Sequence, residues 1–204
     1  MRKGHVVTYR IKQYALEQGA LEIQYMEEFF GEFPGARKTA AEIVARLERR
    51  DHSILMAESP LPDDPTMIVP VAYRVSHELR AHEHDPKLAD LVERLSGAVQ
   101  FEGRRVLYSW IGGTRSDWRG QGFFRALAEE QEAWAVQHGF DEIVVKTKNR
   151  YYGMRGTLDR LRFDVVKYEP QPGDNSESKV YLSKRLGADV LRDHRSTRSV
   201  VRMG

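Results

Sequence analysis

Residues 112–124 read GGTRSDWRGQGFF, after the apolar run VLYSWI and before a long amphipathic stretch. This segment constrains the chain more than any other. It predicts a strand, a glycine-rich loop and a helix in immediate succession. The first amides of a helix have no intrahelical acceptors, and the aligned peptide dipoles leave about half a positive charge there. Gly120 and Gly122 allow a ligand to approach the backbone with no Cβ in the way. Arg119, and Arg125 just beyond the loop, can add charge-assisted hydrogen bonds to phosphate oxygens. An anion held at the helix N-terminus is the functional reading, and a plain turn is the other. Two phosphate loops are excluded. No Gly-Lys-Ser/Thr ending follows, and the glycines lack the spacing and chain position of a dinucleotide fingerprint.

The rest of the chain supplies the elements around this loop. Val6 to Lys12 alternates as a strand. A helix is expected from Ala20 to Phe30, its apolar residues being Leu21, Ile23, Tyr25, Met26, Phe29 and Phe30. Thr39 and Glu42 form a capping-box pattern opening a second helix. Ser53–Ser59 and the run from Thr66 to Ser76 read as a hairpin, with Pro70 marking a bulge or edge. A three-turn helix follows from Asp85 and ends at Gly97. The helix after the glycine loop, Gly122 to Gly139, is the strongest in the chain, and the Glu residues of AEEQE are expected to face out. DEIVVKTK, an imperfect helix RYYGMRGTLDRL, FDVVKYEP and KVYLSKRL complete the order β-α-α-β-β-α-β-α-β-α-β-β. This predicts an α/β, mixed and mostly antiparallel sheet of about seven strands, with helices on both faces and one strand–helix–strand crossover. One domain is expected over residues 1–186, with a short basic tail over 187–204.

Composition narrows the function classes. Thirty-two basic and thirty acidic residues leave a net charge of +2, so nothing global favours nucleic acid. There are no cysteines, which excludes disulfides, thiolate metal sites and a cysteine nucleophile. No signal-length apolar core and no run of about 18 apolar residues appears, so no membrane partner and a cytoplasmic location are expected.

DWRGQGFFRALAEEQEAWAVQHG resembles the acetyl-CoA-binding motif of the GNAT acyltransferase superfamily, whose pattern is Arg/Gln-x-x-Gly-x-Gly/Ala. Arg119, Gly120, Gln121, Gly122 and Phe123 match in order. Phe124 departs, standing where the family prefers Gly or Ala. The resemblance extends from about Val106 to Leu186. It takes in the strand YSWIGGT before the loop, Asn149 at the end of the next strand, and the Phe163 strand beyond.

The resemblance implies direct transfer of an acetyl group from acetyl-CoA, a co-substrate, to a primary amine of a small molecule or peptide, with no metal. It implies that the amides from Arg119 to Phe124 hold the pyrophosphate. The backbone of Gly112, Gly113 and Thr114 would pair with the pantetheine, and Asn149 would contact the cofactor. Asn149 reads equally as a strand-to-helix cap. Many relatives place a tyrosine acid five residues before the Phe that opens the sixth strand, and here that position is Leu158. Tyr151 and Tyr152 are the nearest phenols, and Tyr152 is taken as the candidate acid. Glu58 and His77 are candidate proton relays through water. Phe29, Phe30 and Phe33 could wall an acceptor pocket, and Glu27, Glu28 and Glu32 could attract a cationic amine. Two alternatives stay open: a transferase using a longer acyl-CoA, and a catalytically weak CoA-binding regulatory module. The tail leaves room for a homodimer.

Overall fold

The computed structural model describes residues 8–30 and 38–194. A seven-stranded sheet runs through it in the order β1-β2-β3-β4-β5-β7-β6. The strands are β1 (Arg10–Gln13), β2 (His52–Pro60), β3 (Ile68–Leu79), β4 (Val106–Thr114), β5 (Glu142–Lys148), β6 (Asp164–Glu169) and β7 (Lys179–Arg185). All neighbours pair antiparallel except β4 and β5, which are parallel and joined by the crossover helix α4 (Phe123–Gln137). A parallel pair needs such a crossover, whereas antiparallel neighbours such as β2–β3 and β6–β7 follow each other with no α-helix between them.

The central strands are buried almost end to end because helices cover both faces. Ile54, Met56, Tyr73 and Val75 face α1 (Leu16–Phe30) and α2 (Ala40–Leu47), together with Ile23, Ile43 and Leu47. Leu55 and Ala57 point the other way, toward Phe123 and Leu127 of α4. A third helix, α3 (Pro86–Leu95), packs Leu88, Leu91 and Leu95 over Tyr108, Val144 and Tyr181, and α5 (Tyr152–Arg160) joins α4 through Leu158.

Local signals act as expected in several places. Thr39 accepts from the Glu42 amide while Glu42 returns the bond, completing the capping box at α2. The ladder between β2 and β3 slips beside Pro70, leaving Val71 as an extra residue. Helix α1 starts at Leu16, earlier than expected, and runs through Gly19. A Cβ added there would come within 2.8 Å of Ile54, so the glycine serves close helix–sheet contact and does not break the helix. Leu21, Tyr25 and Phe29 are exposed, and only the Ile23–Met26 face of α1 is core. Strand β1 opens at Arg10, and residues 6 and 7 lie outside the described residues.

The outward orientation expected for the α4 glutamates holds for Glu130, which is exposed, and is corrected for the other two. Glu129 and Glu132 are each 1% exposed, because α4 is covered by β2, β3 and residues 187–194. Arg125 pairs with Glu129 at 2.8 Å. Lys184 and His194 converge on one Glu132 oxygen at 2.7 and 2.8 Å.

Candidate active site

The site begins with a fault in the sheet. On β4, Trp110 is an extra residue in the ladder with β3, since Val75 pairs with Ile111 while Ser76 pairs with Ser109. A bulge bends its strand and increases local twist. Trp110 and Ile111 both turn toward the α1–α2 cluster as a result. Strand β4 stays with β3 as far as Thr114, and β5 stays with β7 as far as Lys148. Between themselves they pair only from Val106 to Ser109 opposite Glu142 to Val145. Beyond that rung the pairing of the two parallel strands ends, and among the described residues no strand lies beside the inner edge of β4 from Trp110 to Thr114. Gly112 is required by its other side: a Cβ there would lie 3.0 Å from the Tyr73 carbonyl oxygen of β3.

The glycine loop follows directly. Ser116–Trp118 form one 3-10 turn, closed by the Trp118 amide on the Arg115 carbonyl at 2.9 Å. Gly120 and Gly122 then take φ of +77° and +90°, a left-handed conformation that other residues adopt at a cost. Gly122 caps α4 with its carbonyl on the Ala126 amide at 3.1 Å, and no side chain caps the helix. Among the described residues, no acceptor meets the amides of Gly120, Gln121, Gly122, Phe123, Phe124 or Arg125. Open space surrounds both glycine Cβ positions. The buried rings of Trp118 and Phe123 pack edge to face beneath, holding the loop on the sheet.

Phe124, the departure from the family pattern, finds its reason below the loop. Its ring lies 4.8 Å from the Arg74 guanidinium of β3. Arg74 is fully buried, donates to Gln131 of α4 at 2.8 Å, and has its pKa pulled down to about 10 by desolvation. A cation in that position favours an aromatic ring above it.

The overall fold is similar to solved structures of acetyltransferases. The chain covers 88% of itself and 99% of a chain in the NatC complex bound to Gag peptide and CoA, at TM-score 0.63 and 14% identity. Arabidopsis thaliana NAA60 in complex with acetyl-CoA matches at TM-score 0.59 and 12% identity, over 88% of this chain and 99% of that one. A GCN5-related N-acetyltransferase from Kribbella flavida matches at TM-score 0.56 and 12% identity, over 88% and 98%. This chain has the GNAT fold. No family model and no curated protein matches the sequence.

Within the GNAT fold the other expected site residues take varied positions. Asn149, nearly buried, spends its side chain on the protein: its amide nitrogen donates to the Asn175 carbonyl at 3.1 Å and its oxygen accepts from Arg155. It does not cap α5, whose cap is Tyr151. Tyr152 opens α5 and is 66% exposed, while Tyr151 stacks beneath the Arg150 guanidinium at 5.1 Å. Leu158 is fully buried between α4 and the sheet, so no register shift brings a phenol to that position. Glu58 accepts from Tyr14 and, at 2.6 Å, from Arg10, and despite its burial these donors hold it below the usual carboxylate range. His77 is fully buried between the rings of Tyr108 and Trp110, with Nδ1 on the Glu78 carbonyl at 2.7 Å. Burial pushes its pKa down to about 4 and pushes that of Tyr108 up to about 12, so both are neutral near pH 7. Glu27 is buried, taking the Tyr73 hydroxyl at 2.6 Å and the Lys38 amide at 2.8 Å. Phe29 points to solvent, Phe30 lies under the Arg115 guanidinium at 3.9 Å, and Glu32 and Phe33 lie outside the described residues.

Sequence reasoning missed the bulge at Trp110, the Arg74–Phe124 contact and Lys146 on β5. A lysine alternating with apolar residues in IVVKTK was the available signal for Lys146. The other two depend on strand register, which local pattern does not encode.

Proposed function

We propose that this protein is an acetyl-CoA-dependent N-acetyltransferase acting on a primary amine. The observation that carries the reading is the coincidence of two unfilled backbone features. Among the described residues, six successive amides at the mouth of α4 lack acceptors, and the β4 edge beside them lacks a partner strand. The pyrophosphate of the co-substrate suits the amides from Arg119 to Phe124, with Gln121 and Gly122 at the turn. Backbone groups of Gly112, Gly113 and Thr114 would receive the pantetheine amides as an added strand. Positioning of this kind can supply several kcal/mol of a transfer barrier, about 7–11 kcal/mol in the best-oriented systems.

Acetyl-CoA supplies an activated thioester, and the chain's residues hold it and exclude alternatives. Trp110 and Ile111 wall the α1–α2 side of the parted strands, from which the amine would approach. An amide of the bulged β4 segment would donate to the carbonyl oxygen as charge develops there. Two protons leave the ammonium form of the acceptor; the thiolate takes one from a donor that the second acceptor proton then restores through solvent, and the other goes to water. We assign that donation to Tyr152, in the first turn of α5 just past the end of β5. Asn149 serves by holding the loop between β5 and α5, not by touching the ligand.

Calorimetry with acetyl-CoA tests the cofactor reading, and thiol release against a panel of amines tests transfer. Micromolar binding with turnover on one amine class is expected. Binding with no turnover across the panel would leave a CoA-binding module in place of an enzyme. Tyr152→Phe should lower kcat and spare acetyl-CoA affinity. An unchanged kcat would remove Tyr152 from the chemistry.

A further inference from the structure

The charges beside the parted strands narrow the acceptor. Lys146 is the first β5 residue past Val145, the last to pair with β4. It stands with Val144 on the α3 face, its ammonium 5.9 Å from the Tyr181 ring centroid. The side chain is half-buried, and among the described residues no carboxylate lies within ion-pair distance of it. Burial lowers its pKa, and Lys179 and Arg94 lower it further against Asp90 and Glu169.

The neighbouring carboxylates are already committed. Glu169 takes Arg94 at 2.6 Å, Lys167 at 3.6 Å and Lys179 at 3.9 Å, along with the Tyr181 hydroxyl. Asp90 takes Arg94 at 2.8 Å. Glu177 is shared by Lys148 and Arg150. Around Lys146 itself, the positive charges of Arg94 and Lys179 are matched by Asp90 and Glu169, so the charge left over is that of Lys146. On the opposite wall, Glu27 is spent on Tyr73 and Lys38. An acceptor whose only charge is its ammonium group would meet an uncompensated positive field. One that also carries a carboxylate would neutralise it. The same field disfavours the ammonium form of the acceptor and so favours the neutral, nucleophilic amine.

We propose that Lys146 is an anion subsite for the acceptor, and that the acceptor class is an amine bearing a carboxylate, held by the Lys146 ammonium beside the parted strands. The amine half of this statement rests on the transferase reading above; the carboxylate half does not.

The test titrates the full chain, with and without CoA, with ω-amino carboxylates and their carboxamides. Short peptides carrying glutamate or glutamine after the N-terminal residue distinguish free amino acids from peptide acceptors. The carboxylate member should bind roughly 10- to 100-fold more tightly, the range of a hydrogen bond to a charged group. The preference should shrink as salt rises, vanish in Lys146→Met, and persist in Lys146→Arg and in Lys167→Met. Melting curves establish that each variant is folded. Equal binding of carboxylate and carboxamide would overturn the proposal, as would a preference that survives Lys146→Met. A Lys146→Met variant that loses CoA in the same proportion would assign the cation to the cofactor and also overturn it. Carboxylate binding through Lys146 in a chain that does not bind CoA would sink the transferase reading and leave the anion subsite standing.

Discussion

Replacing Gly120 by glutamate tests the anion cradle directly. In the free protein the substitution is tolerated sterically, because nothing lies within 4 Å of the Cβ position. The backbone is the only cost: φ is +77°, and a residue with a Cβ in the left-handed region costs about 1–2 kcal/mol. For a chain of this size that is a fall in Tm of roughly 2–8 °C. The carboxylate would then stand in front of six unpaired amides, where the diphosphate belongs. Two like charges about 4 Å apart repel by about 1 kcal/mol in water and about 4 kcal/mol at an effective dielectric of 20. The expected loss of CoA affinity is therefore roughly 10- to 1000-fold, read by calorimetry. Gly120→Ala carries the same backbone cost without the charge, so it should bind CoA within a few-fold of the native protein. Raising salt to about 1 M, where the screening length is about 3 Å, should recover part of the Gly120→Glu loss. Native affinity in Gly120→Glu would refute the cradle. An equal loss in Gly120→Ala would show that backbone geometry, not charge, governs the loop.

Three further outcomes are expected. Leu158→Tyr, which installs a phenol where many relatives carry one, should destabilise by about 1–3 kcal/mol without raising kcat, because Leu158 is sealed in the core; a gain in turnover would contradict the placement of α5. Glu132→Ala leaves the buried Lys184 ammonium and the His194 ring without their shared acceptor and should cost about 3–5 kcal/mol in denaturant unfolding, since both meet one of its oxygens; a loss below 1 kcal/mol would mean the cluster is not held as described. His77 ties stability to acid pH: its folded pKa of about 4 lies below the ordinary 6.5, so between these values the unfolded chain binds a proton that the folded chain refuses. The contribution, roughly 3 kcal/mol, is complete above pH 6.5 and is lost as pH falls toward 4. His77→Phe should flatten that limb of a Tm–pH profile, and an unchanged limb would place the acid sensitivity elsewhere.

Much of this protein is written locally. The capping box at Thr39 and the Asp85–Pro86 start of α3 each depend on interactions within a few residues, and each formed as the pattern predicts. The left-handed turns at Gly120 and Gly122 are equally local, because only glycine takes those angles at little cost. The order of elements followed from such signals, and with it the crossover that sets β4 parallel to β5. Other features depend on partners far away in sequence. Whether a glutamate on α4 faces water or a buried lysine is decided by what packs against the helix, and β7 and residues 187–194 bring Lys184 and His194 to Glu132 from more than fifty positions away. The parting of β4 from β5 requires the ladder with β3 to slip at Trp110, a property of two strands in register and of neither alone. Asn149 has the composition of a ligand contact or a cap, yet Arg155 and Asn175 claim both ends of its side chain. Local chemistry determined where a backbone could turn and offer its amides. Only the tertiary packing decided which polar groups were consumed by the fold and which, like the loop amides and Lys146, were left to meet something else.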